Sequence, residues 1–169
     1  YNTYINSNLT HKKDMENNLI SEFEKNFEEL KKKHKIKSSL NELDEKFLIR
    51  DYIEKEGFVS TELLWQIRDR IMSLFSNWAN YLHGIVMPNP GSMFNITESE
   101  IFDDQEKEEL MKKMSRFLTL TSKNAVLNIT KNKKEEAKII DESLKLWNEL
   151  APELEKLMIK VHDTWKEKS

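Results

Sequence analysis

The side chains best suited to chemistry in this sequence form a polar stripe at three- and four-residue spacing. Arg70, Ser73, Asn77, Asn80 and His83 would share one face of a predicted helix. From Ser73 onward the stripe is uncharged, and small neutral donors and acceptors favour a partly buried setting. The stripe predicts the wall of a ligand pocket or a partner-facing surface. Close helix packing with internal hydrogen bonds is the alternative that we favour.

Histidine spacing argues against a metal centre. A helical di-iron site needs Glu three residues before His, and none of the four His residues has one. His11 and Asp14 have helical ligand spacing, but we interpret the His residues as surface groups. We therefore predict neither a metal nor another cofactor.

Acidic pairs occur at Glu100 with Asp103 and at Glu106 with Glu109. Their spacing is similar to that with which helical nucleotide pyrophosphatases hold Mg²⁺, but acids near a helix start are stabilising by themselves. The chain also has no Cys, no Gly-x-Ser-x-Gly turn and no glycine-rich phosphate loop. We identify no catalytic residue and lean towards a protein that is not an enzyme.

Two lysine runs could form a basic patch that meets phosphates. Its candidate residues are Lys31, Lys32, Lys33, Lys35, Lys131, Lys133 and Lys134. No aromatic residue is interleaved for base stacking, and the net charge is −3, so nucleic acid binding is kept only as an alternative. For the nearby cluster Arg68–Arg70, an ion pair with acids of a neighbouring helix is favoured over phosphate recognition.

A Pro- and Gly-containing segment follows the polar stripe and is a candidate docking loop. Its residues are Met87, Pro88, Asn89, Pro90, Met93 and Phe94. The prolines restrict the backbone, so exposed Met and Phe side chains would form a rigid apolar docking element. A loop that closes one end of a helical bundle is equally compatible with these residues.

Apolar periodicity and capping signals predict the elements that position these groups. Residues 1–10 read as an irregular lead-in, followed by a helix over about 11–35. Ser39 with Glu42 opens a second helix, which Gly57 ends. A third helix runs from Ser60 to about residue 86, and a fourth starts at a Thr97–Glu100 capping box or at Asp103 and reaches the late 120s. The last runs over about 133–168.

The last helix carries an apolar heptad pattern with alternating steps of four and three. Its positions are Ile140, Leu144, Trp147, Ala151, Leu154, Met158, Val161 and Trp165. Because the pattern stays in phase across Pro152, we expect a kink there and not a break. We predict an all-α antiparallel bundle of four main helices with a long kinked carboxy-terminal helix. Residues 1–37 would form the lead-in and an amphipathic arm, and residues 38–169 the bundle.

Composition limits the function. The chain has 169 residues, of which 34% are charged, and it contains no apolar run of the roughly 20 residues that span a membrane. We expect a cytoplasmic protein without membrane association, preceded by further sequence because it begins with Tyr1.

The predicted helices carry more apolar surface than four short helices need to cover one another. We therefore expect a non-enzymatic protein that acts through protein–protein association, as a homo-oligomer. A nucleic-acid-associated module and a small-molecule or nucleotide-binding bundle are the alternatives.

Overall fold

The computed structural model describes the backbone of residues 2–168 and the side chains of residues 18–168. Over these residues the chain forms seven α-helices and no β-strand, which confirms the all-α prediction. The helices are α1 (Asn2–His34), α2 (Leu40–Phe47), α3 (Ile49–Glu56), α4 (Leu63–Val86), α5 (Met93–Ser99), α6 (Asp104–Thr130) and α7 (Lys133–Lys168). The long carboxy-terminal helix is confirmed as α7. The side chains of His11 and Asp14 lie outside the described residues.

The first helix begins earlier than predicted. α1 starts at Asn2, so the irregular lead-in over residues 1–10 is wrong from residue 2 onward. That segment contains neither Gly nor Pro, so nothing in it interrupts a helix. The carboxy-terminal half of α1 packs against α3 and buries Phe23 and Phe27. The arm predicted for residues 1–37 stays a prediction.

The chain divides into two compact units. Unit 1 comprises Tyr1–Arg70 with Lys131–Asp141, and unit 2 comprises Ile71–Thr130 with Glu142–Ser169. α4 and α7 each contribute to both units, because the divisions fall within these helices. The division predicted between residues 37 and 38 stays a prediction.

In unit 1 the second predicted helix is two helices. Leu48 adopts a left-handed conformation with φ 52°, which ends α2 and precedes α3. The Asp44 carboxylate holds this break, since it accepts hydrogen bonds from the Arg50 backbone N–H at 2.8 Å and from Arg50 Nη1 at 2.9 Å. The Ser39–Glu42 capping box and the left-handed Gly57 at the end of α3 are both confirmed.

In unit 2 the predicted Thr97–Glu100 capping box is wrong. α5 starts earlier, because the Ser92 hydroxyl accepts from the Asn95 N–H at 3.3 Å, and Thr97 therefore lies inside this short helix. α6 begins directly after the alternative capping residue, Asp103. Its carboxylate accepts from the Glu106 N–H at 2.8 Å, and its own N–H donates to the Glu106 carboxylate at 3.0 Å.

Aromatic rings form the centre of unit 2. Phe75 on α4 lies 4.9 Å from Phe117 on α6 and 6.4 Å from Trp147 on α7, measured between ring centroids. Along α7, burial departs from the predicted heptad pattern. Leu150 and Leu157, which flank it, are buried, whereas Met158 is 37% exposed. α7 continues as one helix through Pro152.

Candidate functional site

The polar stripe faces solvent over most of its length. Ser73, Asn77, Asn80 and His83 are exposed, so the favoured interpretation of internal packing is wrong for these four residues. Other positions of α4 already supply the buried face, which includes Phe75, Ala79 and Leu82. Arg70 is half-buried, and its Nε donates to the carbonyl of Phe47 at 2.8 Å. The lack of charged residues in this stripe therefore did not indicate that the stripe is buried.

One stripe residue, Asn77, lines a cavity in unit 2. The cavity has a volume of about 250 Å³, and Trp78, Tyr81 and Met158 also line it. The Trp78 and Tyr81 rings are nearly perpendicular, with an interplanar angle of 82°. Burial and the nearby Glu98 carboxylate raise the pKa of the Tyr81 phenol. None of the four lining residues carries a charge, so the cavity suits an apolar group better than a nucleotide phosphate.

The candidate docking loop presents its apolar side chains to solvent. Met93 is 75% exposed, Phe94 is 71% exposed, and Met87 and Pro90 are exposed as well. The Phe94 ring lies 5.8 Å from that of Trp165. This exposure favours the docking interpretation over a loop that closes the end of a bundle.

Local contacts fix the backbone of the docking loop. The Asn89 side chain accepts from the Gly91 N–H at 2.9 Å, which closes a tight turn before Ser92 caps α5. Gly84 on α4 gives α5 room to approach, since a Cβ at Gly84 would lie 3.1 Å from Asn95 Nδ2. The apolar residues of α5 are therefore displayed on a preorganised support.

The two lysine runs meet at one point in unit 1. Lys33 and Lys133 line the same cavity of about 170 Å³, together with His34 and Glu62. Lys133 forms ion pairs with Glu62 and, at 3.3 Å, with Glu136. Burial lowers the pKa of Lys133, but hydrogen bonds to these two carboxylates outweigh it and leave the pKa raised. Lys133 is thus already committed to acidic partners.

The remaining basic candidates lie at the surface. Lys32, Lys33, Lys35, Lys131 and Lys134 are exposed, and Lys31 is half-buried. Of the seven candidates, the cavity brings Lys33 and Lys133 together. A patch formed by all seven stays a prediction.

A buried ion pair joins α4 to α7 within unit 1. Arg68 Nη2 lies 3.5 Å from Glu136 Oε2, and the two side chains are 1% and 0% exposed. Burial lowers the pKa of Arg68, and the Glu136 charge partly offsets this effect. The pairing agrees with the ion pair predicted for this cluster. The neighbouring Asp69 accepts from the Tyr52 hydroxyl at 3.0 Å, so the cluster has a structural role.

Sequence reasoning missed Asp141, which organises the link between α1 and α2. Its carboxylate accepts from the Lys37 N–H at 3.0 Å, the Ser38 N–H at 2.8 Å and the Ser38 hydroxyl at 2.5 Å. Asp141 is about 100 residues away from these donors in the chain. No local sequence pattern marks Asp141 as this acceptor, because the contact forms only in the folded chain.

The acidic pairs take part in helix capping and ion pairs. Glu106 caps α6 and pairs with Lys160 at 2.6 Å, and Glu109 pairs with Lys112 at 2.7 Å. These lysine hydrogen bonds are the main reason that the pKa values of Glu106 and Glu109 are lowered. Within residues 18–168, no three His, Asp or Glu side chains are grouped to hold a metal ion.

Along the described stretch of the chain, none of the helices combines the length and the apolar character that crossing a bilayer requires. No protein-family model matches the chain, and neither a curated protein nor a solved structure shows detectable similarity to it.

Proposed function

We propose that this protein works without catalysis, through protein–protein association, and that it is a homo-oligomer. The observation that carries the proposal is the exposure of Met93 and Phe94 on the rigid docking loop of unit 2. Large apolar side chains held at the surface cost hydration free energy that association recovers. Because the loop is preorganised, little conformational entropy is lost when a partner covers it.

The finer architecture is part of the same proposal. α4, α6 and α7 would belong to an antiparallel four-helix bundle, with a kink in α7 at Pro152. Support comes from unit 2, where rings of these three helices contact one another around Phe75. A bundle of this kind leaves loops at its ends, and the docking loop would be one of them.

The mass of the full chain in solution tests the proposal. Light scattering at micromolar concentration is expected to give a multiple of the mass of one chain. The double variant Met93→Ser/Phe94→Ser then tests whether the docking loop is the contact between two copies of the chain. A fall in mass would assign the loop to self-association, and an unchanged mass would show that the loop is not the contact between copies. A monomeric wild-type chain at the highest soluble concentration would contradict the homo-oligomer.

Nucleic acid binding is the second candidate, because Lys33 and Lys133 from the two lysine runs line one cavity. It predicts salt-sensitive binding, since displaced counterions make phosphate contacts weaker as salt rises. Fluorescence anisotropy with single- and double-stranded probes at low salt is the measurement. Binding that Lys33→Glu weakens would support this candidate, and a flat titration would remove it.

A further inference from the structure

One face of α6 is exposed along most of the helix and has the spacing of a coiled-coil seam. Its positions follow steps of four, three, four, three and four, and all six are exposed: Met111, Ser115, Leu118, Ser122, Ala125 and Ile129. Ile129 has 83% of its surface accessible, more than Met111 at 38% and Leu118 at 44%. The seam is about 27 Å long at 1.5 Å per residue. We call these six residues the α6 seam.

The six residues of the α6 seam are uncharged, and exposed charged neighbours such as Lys112 and Arg116 flank only its first part. From residue 117 to the end of α6 every exposed residue is neutral, although 34% of the whole chain is charged. The hydroxyls of Thr119 and Thr121 donate to carbonyls of their own helix, at 2.8 and 3.1 Å. Lys123 pairs with Glu142 at 2.8 Å. This surface therefore suits apolar contact, because the Thr119 and Thr121 hydroxyls already donate to carbonyls of their own helix.

We propose that the α6 seam binds the α6 seam of a second copy of this chain, with the two helices antiparallel. The inference rests on the self-association proposed above; it assigns the contact between copies to the α6 seam, which leaves the docking loop for another partner. In an antiparallel two-fold pair, residues of the two seams meet in layers. The register that aligns the seams pairs Met111 with Ile129, Ser115 with Ala125 and Leu118 with Ser122.

Side-chain sizes in this register are complementary. The central layers set Leu118 against the small Ser122, and Ser115 against Ala125, so the helix axes approach closely at the middle. The outer layers set Met111 against Ile129, which closes the two ends with large apolar side chains. Two-fold symmetry repeats each layer, so one set of residues supplies both halves of the interface.

Charge favours a second copy in this orientation. The exposed residues near the start of α6 are mostly acidic, since Lys112, which pairs with Glu108 and Glu109, offsets only part of the charge of Asp103, Asp104 and these two glutamates. Lys131 directly follows the last residue of α6. An antiparallel pair places the acidic start of one helix beside the other copy's basic end, whereas a parallel pair places the acidic starts together. The dipoles of two neighbouring helices attract each other when the helices are antiparallel and repel each other when they are parallel. The neutral seam lets two negatively charged chains meet without like charges in the contact.

A charge placed in the seam tests the surface. Ser122→Arg puts a long cation at a central, exposed position, and the expected result in light scattering is a shift from twice to once the mass of one chain. Asn148→Arg, at an exposed position of α7, is the matched control and should keep the wild-type mass. Circular dichroism confirms that both variants fold.

The outcomes separate the two proposals. If wild type is an oligomer and Ser122→Arg keeps its mass, the α6 seam is not the interface, while the proposed self-association stands. If Asn148→Arg dissociates the oligomer as fully as Ser122→Arg, the effect is not specific to the seam, and the inference fails. If wild type is a monomer, both proposals fail.

Cross-linking tests the register, because the natural chain has no cysteine. Leu118→Cys and Ser122→Cys chains, one of them tagged, are mixed and oxidised mildly. The antiparallel register predicts a disulfide between the two different chains and at least tenfold less cross-linking of either variant alone. Efficient cross-linking of each variant with itself would show a parallel pair and overturn the register. No cross-link in any mixture would overturn the contact.

Discussion

Units 1 and 2 differ in the polar contacts that connect their helices. In unit 1, polar side chains make specific connections, such as the buried Arg68–Glu136 pair and the Asp141 carboxylate that accepts three hydrogen bonds from residues 37 and 38. In unit 2, the rings of Phe75, Phe117 and Trp147 fill the centre, and ion pairs such as Arg116–Glu149 lie at the surface. Both units bury apolar side chains, among them Phe23, Phe27 and Phe47 in unit 1, but unit 1 also buries an ion pair completely.

This difference bears on association. Exposed ion pairs stabilise a fold only weakly. Unit 2 contains both the docking loop and the α6 seam, whose apolar side chains are exposed. The predictions below test whether unit 1 depends on its polar contacts as strongly as unit 2 depends on its rings.

The largest effect is expected for the centre of unit 2. Phe75→Ala removes a fully buried ring that contacts two others, and it should lower the free energy of unfolding by about 4 kcal/mol. Chemical denaturation followed by circular dichroism measures this change. Phe58→Ala makes the same substitution at an exposed position and should cost less than about 0.5 kcal/mol. Equal costs at the two sites would contradict the ring-filled centre.

The next effect concerns the buried ion pair of unit 1. Glu136→Ala leaves the Arg68 guanidinium buried without its carboxylate and should cost about 3 kcal/mol in the same assay. The double variant Arg68→Met/Glu136→Leu removes both charges and fills the space, so it should recover most of the loss. If the double variant is as unstable as the single one, packing and not charge makes this position important.

Asp141 should have a smaller effect. Asp141→Ala removes one charged acceptor from three donors and is expected to cost about 2 kcal/mol. Asp141→Asn keeps one acceptor oxygen and should cost less. Asp163→Ala, at an exposed position of the same helix, is the control and should be nearly neutral. A neutral Asp141→Ala would show that unit 1 does not depend on this link.

Local signals predicted much of the fold, because they act within a few residues. The capping box at Ser39, the end at Gly57 and the bounds of α7 follow from short-range contacts. The break at Leu48 could not be predicted in this way. A left-handed Leu is stabilised there by Arg50, which reaches Asp44 and also Glu24 on α1, and the second contact depends on the folded chain.

The surfaces were predicted less well for a related reason. Apolar spacing marks helix faces but does not tell which of two faces turns inward. In α6, Leu110 and Phe117 are buried while their neighbours Met111 and Leu118 are exposed, although all four follow one apolar pattern. The neutral stripe of α4 likewise faces solvent. Local sequence could therefore locate the helices but not the surfaces that remain open.

The smallest expected effect concerns the helix N-caps, which occur in both units. The loss of stability on removing such a cap should be the same in unit 1 and in unit 2. Ser39→Ala in unit 1 and Asp103→Ala in unit 2 each remove an N-cap that is reciprocated by a Glu, and each should cost about 1 kcal/mol. Ser76→Ala, at an exposed position inside α4, is the control and should be neutral or slightly stabilising.

Hydrogen bonds from the Ser39 backbone and hydroxyl hold the pKa of Glu42 below its ordinary 4.5. A lowered carboxyl pKa stabilises the fold above pH 4.5, and this contribution is lost as the pH falls through the lowered value. Ser39→Ala keeps the backbone donor and removes the hydroxyl donor, so it loses the hydroxyl's share of this contribution. The difference in stability between wild type and Ser39→Ala should therefore shrink in acid, and a difference that stays constant or grows there would show that the hydroxyl does not act through the Glu42 carboxylate.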